Sequence, residues 1–168
     1  ICYANGRIWG TKGSNIFFTA DRDYRQYNPG LYLGVDSTNI ILFKAVENGL
    51  YVVTELSTYF ISVKDPEDTE NRQLTKLFDY SCIKGTLFET EDKNVGWLSS
   101  EGYMVGDQNG KLENITKDKL DFSKNYKDGA SLVMKKDGIY QVLFALKQEG
   151  EKTSFQTTEK NNEVWFDL

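Results

Sequence analysis

One pattern returns four times along the chain: a turn holding Asn, Asp or Gly, followed by a short apolar run with an aromatic residue. The copies read ANGRIWGT (Ala4–Thr11), ENGLYVVT (Glu47–Thr54), KNVGWLSS (Lys93–Ser100) and KDGIYQVL (Lys136–Leu143). Aligned on Trp9, Tyr51, Trp97 and Tyr140, they fall 42, 46 and 43 residues apart. Self-similarity at such a period means one small unit repeated, because each unit leaves an apolar face that only a neighbour can cover. The third copy departs most, with Gly96 next to the aromatic and Val95 in the usual Gly place.

The second copy shows what the unit is. An apolar strand, Ile40–Val46, runs into Asn48-Gly49 and then Leu50–Thr54. Asn-Gly between two such runs is the strongest short-range hairpin signal. In Thr58–Val63, Tyr59, Ile61 and Val63 alternate with Thr58, Phe60 and Ser62, the period of a half-buried strand. The loop DPEDTEN (Asp65–Asn71) leads to a weaker strand near Leu74–Asp79. The unit is a four-stranded antiparallel meander.

The same reading gives strands at Ile1–Ala4, Arg7–Thr11 and Asn15–Thr19 in the first copy. The third copy has Thr86–Glu91, Val95–Ser99 and Gly102–Gly106, and the fourth Ala130–Lys135, Ile139–Leu146, Ser154–Thr158 and Val164–Leu168. Pro29 and Pro66 fall in inferred loops, where a missing N–H costs nothing. No segment carries a capped helical period. The expected fold is all-β: one domain of about four repeats (1–39, 40–85, 86–129, 130–168) forming a β-propeller or an arc of a larger one. A β-sandwich of irregular meanders is the alternative. Because the sequence opens at Ile1 with no initiator Met, it reads as a piece of a longer chain.

Composition then excludes chemistries. The chain holds no His, which removes Ser-His and Cys-His pairs and imidazole metal sites. Cys2 and Cys82 follow no metal-ligand spacing, and Cys82 has no imidazole to activate it, so it reads as a small buried hydrophobe. With 25 acidic against 20 basic residues, the net charge of −5 argues against a grip on nucleic-acid phosphates. No apolar run approaches the roughly 20 residues of a membrane-spanning helix. No cofactor is expected.

Several segments invite a functional reading. In Asp21–Tyr27, charges and aromatics interleave, so Tyr24, Arg25 and Tyr27 are candidate contacts for a glycan or a protein; a loop pinned by its own tyrosines is the plainer reading. Trp165 joins them as a candidate contact, whereas Trp9 and Trp97 fall at core positions. Asp107–Lys111 has some acids of a calcium loop but not their spacing, and reads as a turn. The acids Asp65, Glu67, Asp68 and Glu70 read as a solvated loop.

The runs NGRIWGTKGSNIFFTADRDY (Asn5–Tyr24) and ENGLYVVTELSTYFISVKDPED (Glu47–Asp68) resemble the propeller region of tailed-phage and prophage structural proteins of the tail hub, nozzle or DNA-stabilisation type. The later motifs follow in order: Cys82, Trp97-Leu98-Ser99-Ser100-Glu101-Gly102-Tyr103, Gly106-Asp107 and Asn114-Ile115-Thr116. The chain departs from the family pattern at Ser62-Val63-Lys64, where a Gly usually precedes Asp-Pro. The resemblance covers roughly residues 5–145 and implies a non-enzymatic structural part of a phage tail or portal-proximal assembly, located in the virion. Its partners would be other virion or tail proteins, with a homo-oligomeric ring in the intact protein. An acidic conduit of that kind would let duplex DNA slide without sticking. The competing readings are a β-propeller binding module for a glycan or receptor, using Tyr24, Tyr27 and Trp165, and a glycosidase-type propeller.

Overall fold

The computed structural model describes residues 1–62, 72–117, 126–136, 139–148 and 162–167; for 26–31, 136, 139–140, 148 and 162–167 it describes backbone alone. The fold is all-β, with no helix among the described residues. The first sheet is β1 (Cys2–Ala4), β2 (Arg7–Lys12), β3 (Asn15–Ala20) and β4 (Asp23–Gly34). The second is β5 (Ile40–Val46), β6 (Gly49–Thr54), β7 (Thr58–Ser62) and β8 (Gln73–Phe78). The third is β9 (Phe88–Glu89), β10 (Val95–Ser99), β11 (Gly102–Gly106) and β12 (Leu112–Asn114). The fourth joins β13 (Tyr126–Lys136), β14 (Ile139–Gln148) and β15 (Asn162–Asp167). Each sheet is an antiparallel meander whose strands pair in chain order.

The strands divide into two compact units, Ile1–Cys82 with Gly106–Leu112, and Ile83–Val105 with Glu113–Leu168. In the first unit, Trp9, Ile16, Phe18 and Leu33 pack against Ala45, Leu50, Val52 and Ile61 of the second sheet. The leading strands abut, β1 against β5. Every residue of β6 is buried, so the second sheet is covered on both faces. Its far face holds Tyr51 and Phe60, ring centroids 4.9 Å apart, against the hairpin tip Gly106–Leu112. Fully burying each such side chain contributes about 1.5–3 kcal/mol. In the second unit, Ile83, Phe88, Leu98 and Tyr103 meet Val142 and Phe144 of β14, and β9 lies against β13. Here β10 is buried along its whole length.

The structure departs from the sequence reading at several places. Asp23–Tyr27 and Pro29 lie in a strand, β4, where loops were expected. β4 is an edge strand, and the register jumps from Thr19↔Tyr27 to Phe17↔Tyr32, so residues 28–31 bulge opposite Phe18. An edge and a bulge both tolerate a residue with no N–H. The second hairpin turns on Glu47-Asn48, because Val46 pairs with Gly49 and Gly49 belongs to β6. The first copy makes the expected turn, with Asn5 and Gly6 at φ 51° and 73°. β7 buries Phe60 and Ile61 alike, so its alternation does not separate a wet face from a dry one. Trp97 is one residue out of phase: Leu98 faces the fourth sheet, so Trp97 points to the opposite face, whereas Trp9 faces the sheet that follows it. Pro66, the acids at 65–70 and the strand expected at 154–158 lie outside the described residues.

Candidate functional site: the outer face of the first sheet

Alternation along β2 puts Arg7 and Trp9 inside and Ile8 outside. Ile8 pairs with Tyr3, and Gly10 pairs with Phe17, which pairs with Tyr32. The face turned away from the second sheet therefore carries Tyr3, Ile8, Phe17 and Tyr32. Tyr3 is 64% exposed, Tyr32 54% and Ile8 36%, which makes this an apolar, aromatic surface and not a scatter of single residues. Phe17 and Tyr32 are neighbours, with centroids 6.2 Å apart.

Tyr24 joins this face. Its ring meets that of Tyr3 edge to face at 5.9 Å and 75°, and its hydroxyl donates to the Tyr3 hydroxyl at 3.3 Å. That bond holds the Tyr24 phenol above its ordinary value. Arg25 stands beside it, its backbone N–H donating to Asp23 Oδ1 at 3.1 Å and its guanidinium 3.6 Å from the same oxygen. Tyr27 opposes Thr19, and Trp165 opposes Leu143 in the fourth sheet; their side chains lie outside the description. Of the four sequence candidates, Tyr24, Arg25 and Tyr27 thus fall on one strand, β4, and Trp165 belongs to another sheet.

Beneath this face the sheet is held by a group that strand periodicity did not flag. Arg7 is buried; its guanidinium donates to the Thr19 carbonyl at 2.8 Å and lies 5.7 Å from the Phe18 ring centroid. Its one sequence signal is the NGR triplet, whose Asn and Gly form the tight turn that aims it inward.

The other candidates have structural roles. The Asp107 carboxylate accepts from the Asn109 and Lys111 N–H groups at 2.7 and 3.0 Å, an Asx-type turn and not a calcium loop. This tip is bound to the second sheet's turn. The Tyr51 hydroxyl donates to the Asp107 carbonyl at 2.9 Å, Glu47 N–H to Gln108 Oε1 at 2.9 Å, and Asn48 Nδ2 to Asn109 Oδ1 at 2.8 Å. Burial, reinforced by the Asp107 carboxylate, keeps the Tyr51 phenol far above its ordinary range. Burial also pushes the Cys82 thiol up to about 12, which keeps it protonated and opposes a nucleophilic role. Trp9 and Trp97 are fully buried. Among the described residues no cluster of His, Cys, Asp or Glu could hold a metal ion. No helix among them is long and apolar enough to cross a membrane. No protein-family model matches the chain, and no curated protein does.

Proposed function

We propose that the four meanders are blades of a β-propeller, or of an arc of a larger one, and that the chain is a non-enzymatic structural component of a phage or prophage tail or portal-proximal assembly. The observation that carries the reading is the aromatic outer face of the first sheet. A surface of Tyr3, Ile8, Phe17, Tyr24 and Tyr32 suits a protein–protein contact, in which aromatic side chains supply much of the binding energy. The blade arrangement is supported by β1 against β5 and β9 against β13, the abutment of leading strands that radial stacking produces. The chain would act in the virion, against other tail proteins.

A glycan- or receptor-binding module is the second reading, favoured by the exposed, hydroxyl-bearing rings of Tyr3 and Tyr24. Peptide mass spectrometry of density-banded particles tests the first reading. Chain peptides travelling with the particles support it; chain peptides confined to the soluble fraction overturn it. A glycan array then tests the second.

A further inference from the structure

Three Asn-Gly pairs stand in the chain, Asn5-Gly6, Asn48-Gly49 and Asn109-Gly110, each where one strand turns into the next. Such a pair can react on itself. With no Cβ to shield it, the glycine backbone nitrogen can close on the Cγ of the asparagine before it. That nitrogen must be out of any hydrogen bond, and the asparagine side chain must be free to turn. The three turns differ in both respects.

Asn48-Gly49 is locked. Gly49 is buried in the ladder, opposite Val46 on one side and Ser62 on the other, with the Ile61 carbonyl and the Phe60 ring against it. The Asn48 Nδ2 donates to Asn109 Oδ1 at 2.8 Å, which also holds the side chain of the third pair. At that pair the Gly110 N–H donates to the Tyr51 hydroxyl, Gly110 lies on the Phe60 ring, and the Asn109 N–H donates to Asp107 Oδ1 at 2.7 Å. Asn5-Gly6 is the open turn. Asn5 is exposed, and among the described residues no acceptor takes the Gly6 N–H. The group nearest Gly6 is the end of a movable side chain, the Asp21 carboxylate, and not backbone or a buried ring. The Asn5 Nδ2 donates to the Glu47 carbonyl at 3.1 Å, an exposed bond that water can replace.

We propose that Asn5 is a self-modifying site, which deamidates in the folded chain while Asn48 and Asn109 are protected. The Gly6 nitrogen bonds to Asn5 Cγ, and Nδ2 leaves as ammonia, carrying the proton that Gly6 gives up. Water then opens either carbonyl–nitrogen bond of the succinimide ring, giving aspartate or isoaspartate. One water is consumed and one ammonia released, with no change of oxidation state. The product undoes a contact between sheets. A carboxylate replaces the Nδ2 donor and faces the Glu47 carbonyl, so the first sheet's turn loses its tie to the second's. Isoaspartate also lengthens the backbone inside a turn that Ala4 and Arg7 close tightly. This chemistry is the chain's own and is independent of the tail reading.

Incubation of the whole chain at mildly alkaline pH, followed by tryptic peptide mass spectrometry, reads all three sites, because Lys and Arg place them in separate peptides. In the folded chain Asn5 converts at least roughly fivefold faster than Asn48 or Asn109, since those two must first open locally. In urea, with every turn undone, the three rates converge. Asn48 or Asn109 converting as fast as Asn5, a folded-state order that persists in urea, or an intact Asn5 once the urea-unfolded chain has reacted would each overturn the proposal. Hydrogen exchange on the deamidated fraction reads the consequence. The Arg22 N–H, which donates to the Gly6 carbonyl at 2.9 Å, exchanges faster there than in the parent, and unchanged exchange would overturn the loosened tie.

Discussion

Gly49 stands where a side chain has no room: a Cβ there would run into the Ile61 carbonyl oxygen and the Phe60 ring. Gly34, on the first sheet, has only Asn15 Oδ1 within reach of a Cβ, at 3.9 Å. Gly49→Ala is expected to cost about 2 kcal/mol or more through overpacking, and Gly34→Ala less than about 1 kcal/mol; urea unfolding monitored by Trp fluorescence measures both. Titration acts at the same scale. Partial burial raises the Asp36 carboxyl, but the Thr38 hydroxyl and amide and the Thr54 and Tyr59 hydroxyls donate to it and hold it below its ordinary value. The stability this contributes is present above about pH 4 and lost as pH falls through the lowered value. The Cys82 thiol is raised instead, so its contribution is present below about 9 and lost as pH climbs through about 12. The urea midpoint should therefore be level between these limits and fall on both sides. In Asp36→Asn the acid-side fall should shrink, and an unchanged acid limb would contradict the assignment.

Among the elements, a single hydroxyl ties the approach to the third sheet together. Thr86 Oγ1 donates to the Ile83 carbonyl at 2.7 Å and accepts from Leu98 N–H at 3.0 Å, fully buried. Thr86→Val keeps the shape and takes the hydroxyl from the Leu98 N–H, while the Ile83 carbonyl keeps the Thr86 N–H at 3.3 Å, so a loss of about 1–3 kcal/mol is expected in the same unfolding assay. The sequence reading placed Thr86 in a strand, whereas β9 begins at Phe88 and Thr86 serves as an anchor before it. β5, β6 and β7 were legible because turn residues bracket short apolar runs. β4 was not, because Asp23 and Arg25 beside the tyrosines, and then Pro29-Gly30, mimic a loop; only the pairing with β3 reveals an edge strand with a bulge. The three residues of β12 carry too little period to be read at all. The site was half legible. Tyr24 stood out by its company of charges, whereas Tyr3, Ile8, Phe17 and Tyr32 are adjacent only once the strands are in register.

For the whole molecule, sheet count and period came from the repeat, and burial on both faces of β6 and β10 gives that repeat its physical reason. A lone meander cannot cover both of its faces; stacked ones can. The most direct test is quantitative peptide mass spectrometry on phage particles induced from the source culture and banded on a density gradient, following the chain's own tryptic peptides. The account predicts that they band with intact particles at a fixed ratio to a capsid protein, and that this ratio gives the copy number of the chain in its assembly. Chain peptides that remain in the soluble fraction while particles form normally would contradict it.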